Sequence, residues 1–131
     1  MVHTNMVDMY IEIIKGKSAA ALRGLSMTED VFACHFPNFP ILPGVLMLQA
    51  IQEVSEKLVN ESIDTKTRRA ILVEFEGVKF RKYARPGDQL FIDVQIVEEC
   101  YDNYILKGKI KTQRDRIAEV KKILINVKEV N

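Results

Sequence analysis

The sequence predicts an α+β domain spanning residues 1–131, a curved antiparallel sheet of about six strands wrapped around one long central helix. Three observations carry that expectation. A single helical segment starts near Pro43-Gly44, and its opening residues Val45, Leu46, Met47 and Leu48 are all apolar, so it should be buried on every side rather than lie on a surface. After Arg68 the apolar spacing changes from a period near 3.6 to extended alternating runs. A lone helix of this kind, followed by strands, buries itself most simply inside a sheet that wraps it.

Before the helix, the Ile- and Tyr-rich run from Met9 to Lys15 reads as a first strand. Gly16-Lys17-Ser18 turns it into a second, Ala19 to Ser26. The polar stretch from Ser26 to Asp30 suits a connection with a short helical turn. The helix itself should begin at Pro43 or Gly44, where proline's missing amide costs nothing, and run to about Leu58 or Val59. Ser55-Glu56-Lys57 should emerge into solvent. Four strands follow, Ala70 to Arg81, Gln89 to Cys100, Asn103 to Gln113 and Arg116 to Val130, expected as a meander. Turn signals at Arg85-Pro86-Gly87-Asp88, Asp102-Asn103 and Arg114-Asp115 separate them. Leu90, Ile92, Val94 and Ile96 alternate with Phe91, Asp93, Gln95 and Val97, one face dry and the other mostly wet. Tyr83, Phe91, Ile105 and Val97 are apolar candidates for the outer face or for a subunit contact, which points to at least a dimer.

Nineteen basic and eighteen acidic residues leave a net charge of +1, which gives no argument for nucleic acid or an anionic membrane as partner. Cys34 and Cys100 have neither CxxC spacing nor a secretory framework, as expected of two buried thiols in a reducing compartment. The N-terminal residues have no apolar core behind a basic start and so read as neither signal peptide nor membrane span. A cytoplasmic location is expected. His3 and His35 are too far apart, and the thiols too separated, to offer metal-ligand spacing, so no metal is expected. Met6, Met9, Met27 and Met47 read as core or chain-end filler. Lys107, Lys109, Lys111, Arg114, Arg116, Lys121 and Lys122 form a basic run of the kind that usually solvates a face and protects a sheet edge.

The unusual residues concentrate between Cys34 and Glu53, CHFPNFPILPGVLMLQAIQE, where a loop with three prolines runs directly into the helix. Gln49 and Glu53 lie four apart, on neighbouring positions of one helix stripe that is expected to face the interior. Polar groups there need partners or a function.

The run from His35 to Leu46, HFPNFPILPGVL, resembles the HFPxxPxxPGVL signature of the hotdog-fold (3R)-3-hydroxyacyl-acyl-carrier-protein dehydratases of fatty acid synthesis. The resemblance extends to Gly77-Val78-Lys79-Phe80-Arg81 and to Arg85-Pro86-Gly87-Asp88-Gln89-Leu90, and so covers most of the chain. It implies a single hotdog domain that dehydrates 3-hydroxyacyl thioesters to trans-2-enoyl thioesters. The substrate would be carried on the phosphopantetheine of acyl carrier protein, or on CoA, without a further cofactor. A homodimer or trimer of dimers is implied, with an apolar tunnel at the subunit interface and His35 of one subunit beside the helix of the other. Phe36, Pro37, Ile41, Pro43, Val45 and Leu48 would line the substrate site, and the carbonyl of Ile41 would orient the imidazole.

That chemistry needs a base at C2, a donor on the thioester carbonyl and an acid at the departing hydroxyl. His35 suits the first role, because an imidazole is neutral and basic near pH 7. Gly44 suits the second, because free amides project from a helix N-terminus and no side chain blocks a carbonyl oxygen. The third position departs from the family. Fourteen residues after the histidine, where the family carries Glu or Asp, this chain has Gln49, whose amide can hydrogen-bond a hydroxyl but not protonate it. Where the family often has Gln, this chain has Glu53, so the carboxylate stands one helical turn, about 5.4 Å, further on.

Three readings of Glu53 remain open: a displaced acid with a pKa raised by burial, a structural carboxylate bonded to the Gln49 amide, or a solvated group. Gln49 likewise leaves room for a catalytically degenerate carrier-binding subunit, including the inactive half of a heterodimer, and for a hotdog thioesterase. Because the family's carrier is acidic, Lys79, Arg81, Lys82 and Arg85 are candidates for contacting it.

Overall fold

The computed structural model describes residues 6–25 and 42–130. Six strands and one helix follow in the order β1 (Met9–Ile14), β2 (Ser18–Gly24), α1 (Gly44–Glu61), β3 (Arg68–Phe80), β4 (Gln89–Cys100), β5 (Asn103–Lys111) and β6 (Arg116–Glu129). The expected turn at residues 26–30 and the proline loop lie outside the described residues, as do His3, Met27 and Cys34.

All six strands form one antiparallel sheet ordered β1-β2-β4-β5-β6-β3. The expected meander is therefore corrected. β3 does not pair with β4 but crosses the sheet to lie beyond β6, while β2 pairs with β4. This order leaves β1 and β3 as the edges and makes β5 an inner strand, so the lysines of β5 protect no edge.

Strand alternation decides which face the helix covers. Leu90, Ile92 and Val94 of β4, with Leu106 and Ile110 of β5, are buried, whereas Gln95, Lys107 and Lys111 are exposed. Against the dry face α1 sets Met47, Ala50, Ile51, Val54, Ser55, Leu58 and Val59. That stripe holds a period near 3.6 through Ser55, which is fully buried rather than solvent-facing as the local polarity suggested. The opening turn is also not buried all round, for Val45 is 63% exposed and only Met47 of the four apolar residues is buried. Met6 joins the core while Met9 is exposed. Cys100 is exposed, contrary to the expected buried thiol. The β4–β5 turn falls at Tyr101-Asp102, one residue earlier than the Asp-Asn signal implied, with Tyr101 at φ 56°.

Candidate active site

The start of α1 is held by the connection between β3 and β4. Leu42, buried, donates its amide to the carbonyl of Ala84 at 2.8 Å, which fixes the chain entering the helix. Pro43 is the N-cap, at φ −60° and ψ 144°, and its carbonyl accepts the amides of Leu46 at 3.1 Å and Met47 at 3.4 Å. The amides of Gly44 and Val45 have no acceptor among the described residues, and no acidic side chain occupies the first turn. The helix dipole and two open donors therefore favour an oxygen bearing negative charge at this end.

Gly44 lacks a side chain for a reason the sequence did not disclose. A Cβ placed there would stand 2.8 Å from Cζ of Phe80 and 3.0 Å from its Cε2. The ring at the end of β3 fills the space that the sequence reading had assigned to an approaching carbonyl oxygen. Only the backbone N–H remains free to serve as donor.

Gln49 is exposed, on the side of α1 away from Met47, Ile51, Val54 and Leu58, so in the single chain it does not project into the interior. Glu53 is half-buried and takes another direction: its Oε1 accepts the backbone N–H of Met6 at 2.8 Å. Its hydrogen bond thus runs to the segment before β1, not to the Gln49 amide that one of the three readings gave it. Tyr10 of β1 packs in the same place. Its hydroxyl pKa is pushed up to about 12, first by burial and then by the charge of Glu53, and the ammonium of Lys57 lies 5.9 Å from the centre of its ring. On the flank toward β3, Gln52 Nε2 donates to Glu56 at 3.2 Å, and Glu56 accepts the amide of Leu72 at 2.9 Å. Pro43 and Leu48 are half-buried. His35, Phe36, Pro37 and Ile41 lie outside the described residues.

Three of the four basic candidates come together. Arg81, Lys82 and Arg85 line a cavity of about 370 Å³ with Tyr83, Thr112 and Arg114, whereas Lys79 opens into a different groove. Arg114 is the member that sequence reasoning placed elsewhere, in the basic run. The β3–β4 and β5–β6 connections bring it close, and its guanidinium meets the buried Asp88 carboxylate at 2.9 Å. Asp88 Oδ2 also accepts the Arg85 amide at 3.0 Å, which fixes the turn. Arg81 pairs with Glu119 at 2.6 Å and Lys82 with Asp115 at 3.2 Å, all exposed or partly exposed. The guanidinium beside it holds Glu119 below the usual carboxylate range. The Ala84–Leu42 hydrogen bond joins this cavity's strand connection to the start of α1. Among the described residues no group of His, Cys, Asp and Glu could hold a metal ion, and no helix is long and apolar enough to cross a membrane.

A six-stranded antiparallel sheet with one helix packed against its dry face is the hotdog architecture, and solved structures agree. A Streptococcus mutans protein bound to acetyl CoA superposes with a TM-score of 0.75 at 17% identity, covering 100% of this chain and 94% of that one. The dehydratase heterocomplex ApeI:P from Xenorhabdus doucetiae gives 0.69 at 22% identity, covering 90% and 96%. A Staphylococcus aureus thioesterase variant gives 0.77 at 16%, covering 92% of each chain. At these identities the likeness shows the fold alone.

Sequence comparison goes further, since the FabA-like domain matches residues 2–121. The chain belongs to the FabA-like family. Curated relatives include the 3-hydroxyacyl-acyl-carrier-protein dehydratase FabZ of Geobacillus thermodenitrificans, 36% identical over 70% of this chain and 63% of that protein. The FabZ proteins of Myxococcus xanthus and Rickettsia bellii are each 32% identical, over 87% of this chain and 76% of the first, and 88% of this chain and 81% of the second. The match thus spans a little under two thirds of the Geobacillus relative's length.

Proposed function

We propose that the protein is a 3-hydroxyacyl thioester dehydratase acting on acyl carrier protein, forming trans-2-enoyl thioesters in fatty acid or related lipid or polyketide synthesis. The observation that carries the reading is the open pair of amides at the start of α1, in a chain whose relatives are FabZ dehydratases. The Gly44 amide polarises the thioester carbonyl as enolate charge develops. His35 removes the C2 proton, oriented by the Ile41 carbonyl, and Phe36, Pro37, Pro43, Val45 and Leu48 enclose the acyl chain. Gln49 holds the C3 hydroxyl by hydrogen bonding, and the missing acid makes elimination slow. The Met6 bond of Glu53 supports a structural carboxylate over a displaced acid. No cofactor takes part. Arg81, Lys82 and Arg85 receive the acidic carrier near the start of α1, without Lys79, which lines a different groove.

The site is completed by a second copy. Among the described residues β3 has no neighbour on its outer side, and it carries exposed Ile71, Val73, Val78 and Phe80; pairing of two such edges covers them. The test is the rise in enoyl-thioester ultraviolet absorbance when purified protein meets a 3-hydroxyacyl thioester, abolished by His35→Ala. No signal with any chain length or carrier overturns the reading.

Gln49 favours a second reading, a carrier-binding subunit that has lost turnover and pairs with an active relative. Under it the chain alone gives no absorbance change, and mixing with the active relative yields a heterodimer.

A further inference from the structure

The face of the sheet that α1 does not cover carries a groove of about 980 Å³ lined by residues of all six strands. One row of it is internally balanced. Ala20, Asp93, Lys109, Glu119 and Lys79 stand in register across β2, β4, β5, β6 and β3, with alternating charge. The neighbouring rows are not balanced. Lys107 faces Gln95 on one side and, on the other, the irregularity of β6 that carries Lys121, while Lys111 stands between Phe91 and Arg116.

Six basic and three acidic side chains line the groove. None of Lys79, Lys107, Lys109, Lys111 and Lys121 has an ion-pair partner among the described residues. Lys121 is moreover seated. A Cβ on Gly77, at φ 71°, would stand 2.6 Å from Lys121 Cβ and 3.3 Å from its Cδ, so the glycine makes the space across which this lysine lies.

Edge protection does not explain three lysines on β5, which has a neighbour on each side. Close like charges on adjacent strands are, if anything, unfavourable. We propose that this groove seats an acidic helix of a partner protein. Alternate residues along a strand stand about 6.8 Å apart, and carboxylates at i and i+4 of a helix stand about 6 Å apart along its axis, so one acidic stripe meets Lys107, Lys109 and Lys111 in succession. A bilayer surface is planar and does not follow a groove. No aromatic side chain lines it to stack a nucleic acid base. The surface is separate from the start of α1, and the inference does not depend on the reaction proposed there.

The test measures fluorescence anisotropy of a labelled helical peptide with Glu at successive i, i+4 positions. Its comparators are a scrambled peptide of the same composition, a single-stranded oligothymidylate, and phosphatidylserine vesicles followed by co-sedimentation. The helical peptide should bind at least ten-fold more tightly than its scramble. The Lys107→Glu/Lys121→Glu variant should lose at least ten-fold of that affinity, while Arg81→Glu/Arg85→Glu keeps it. Gly77→Ala, which displaces Lys121, should weaken binding measurably. Absence of peptide binding, equal binding of the scramble, tighter binding of the oligonucleotide or vesicles, or indifference to Lys107→Glu/Lys121→Glu would each overturn the proposal. Turnover of a CoA-borne substrate by the double variant reads the catalytic site separately.

Discussion

Glu53 of α1 and Met6, forty-seven residues earlier, are joined by a 2.8 Å hydrogen bond from the Met6 amide to the Glu53 carboxylate. The bond ties the segment before β1 to the helix across which the site is built. A hydrogen bond to a charged acceptor is worth about 1.5 to 3 kcal/mol, and partial exposure of Glu53 places this one at the lower end. Glu53→Ala should therefore lower the unfolding free energy by about 1.5 kcal/mol in urea titrations. Glu53→Gln keeps an acceptor oxygen and should cost less. Glu53→Gln should also retain turnover, and its inactivity would show that this carboxylate supplies the proton.

Tyr10 reports the same contact by pH. Its folded pKa, about 12, is raised above the ordinary tyrosine value of 10.0 by burial and then by Glu53. The folded state therefore holds this proton more tightly than the unfolded chain, and the contribution is complete below pH 10 and falls as pH rises from 10 toward 12. Ultraviolet titration should show one tyrosinate forming near 12. In Glu53→Gln that transition should move down but stay above 10, because burial, the larger cause, remains.

These contacts mark where the sequence was readable. β4 was legible to the residue, Gln89 to Cys100, because one wet and one dry face impose strict alternation. The partner of β3 was not, since an alternating apolar pattern fixes which residues share a face but not beside which strand the run lies. In α1 the local run Ser-Glu-Lys suggested solvent, yet Ser55 continues the stripe of Ile51, Val54 and Leu58. The same period sets Gln49 on the opposite side. The glycine at 44 was identifiable as a helix start, but the long-range approach of the Phe80 ring to it was not.

That approach makes a second stability prediction. Gly44→Ala places a methyl group where the end of the Phe80 ring stands, and because Phe80 is 47% exposed and its ring can swing aside, the cost should fall below the about 1 to 3 kcal/mol of an overpacked core. In the background of Phe80→Ala the added methyl should cost little. A double-mutant cycle by denaturation should return a coupling energy of about 0.5 kcal/mol or more between the two positions, and additivity would show that they do not meet.

The unpaired β3 edge gives a prediction on assembly. Val73 is 54% exposed and Ile71 is exposed beside it. An apolar edge strand of thirteen residues is a template for pairing. Light scattering after gel filtration should give the wild-type mass as at least two chains. Ile71→Asp/Val73→Asp should shift it toward one chain, and turnover should fall in parallel if the second copy completes the site. A monodisperse wild-type monomer with full activity would reject this arrangement.

The chemical question centres on Gln49. An amide at this position can hold the departing hydroxyl of the proposed reaction but has no proton to give it. General acid catalysis is typically worth about 10² to 10⁴ in rate. Gln49 is exposed on the helix side away from the core, so a carboxylate there needs no desolvation within the single chain and should be tolerated by the fold. Gln49→Glu should leave the urea midpoint within experimental error and raise kcat on a 3-hydroxyacyl thioester by about 10² or more, with little change in KM. The gain should vanish when His35→Ala is added, because the acid acts only with the base. An unchanged kcat in Gln49→Glu, together with an inactive Glu53→Gln, would move the acid to Glu53. No turnover in either would leave the carrier-binding subunit as the reading that fits.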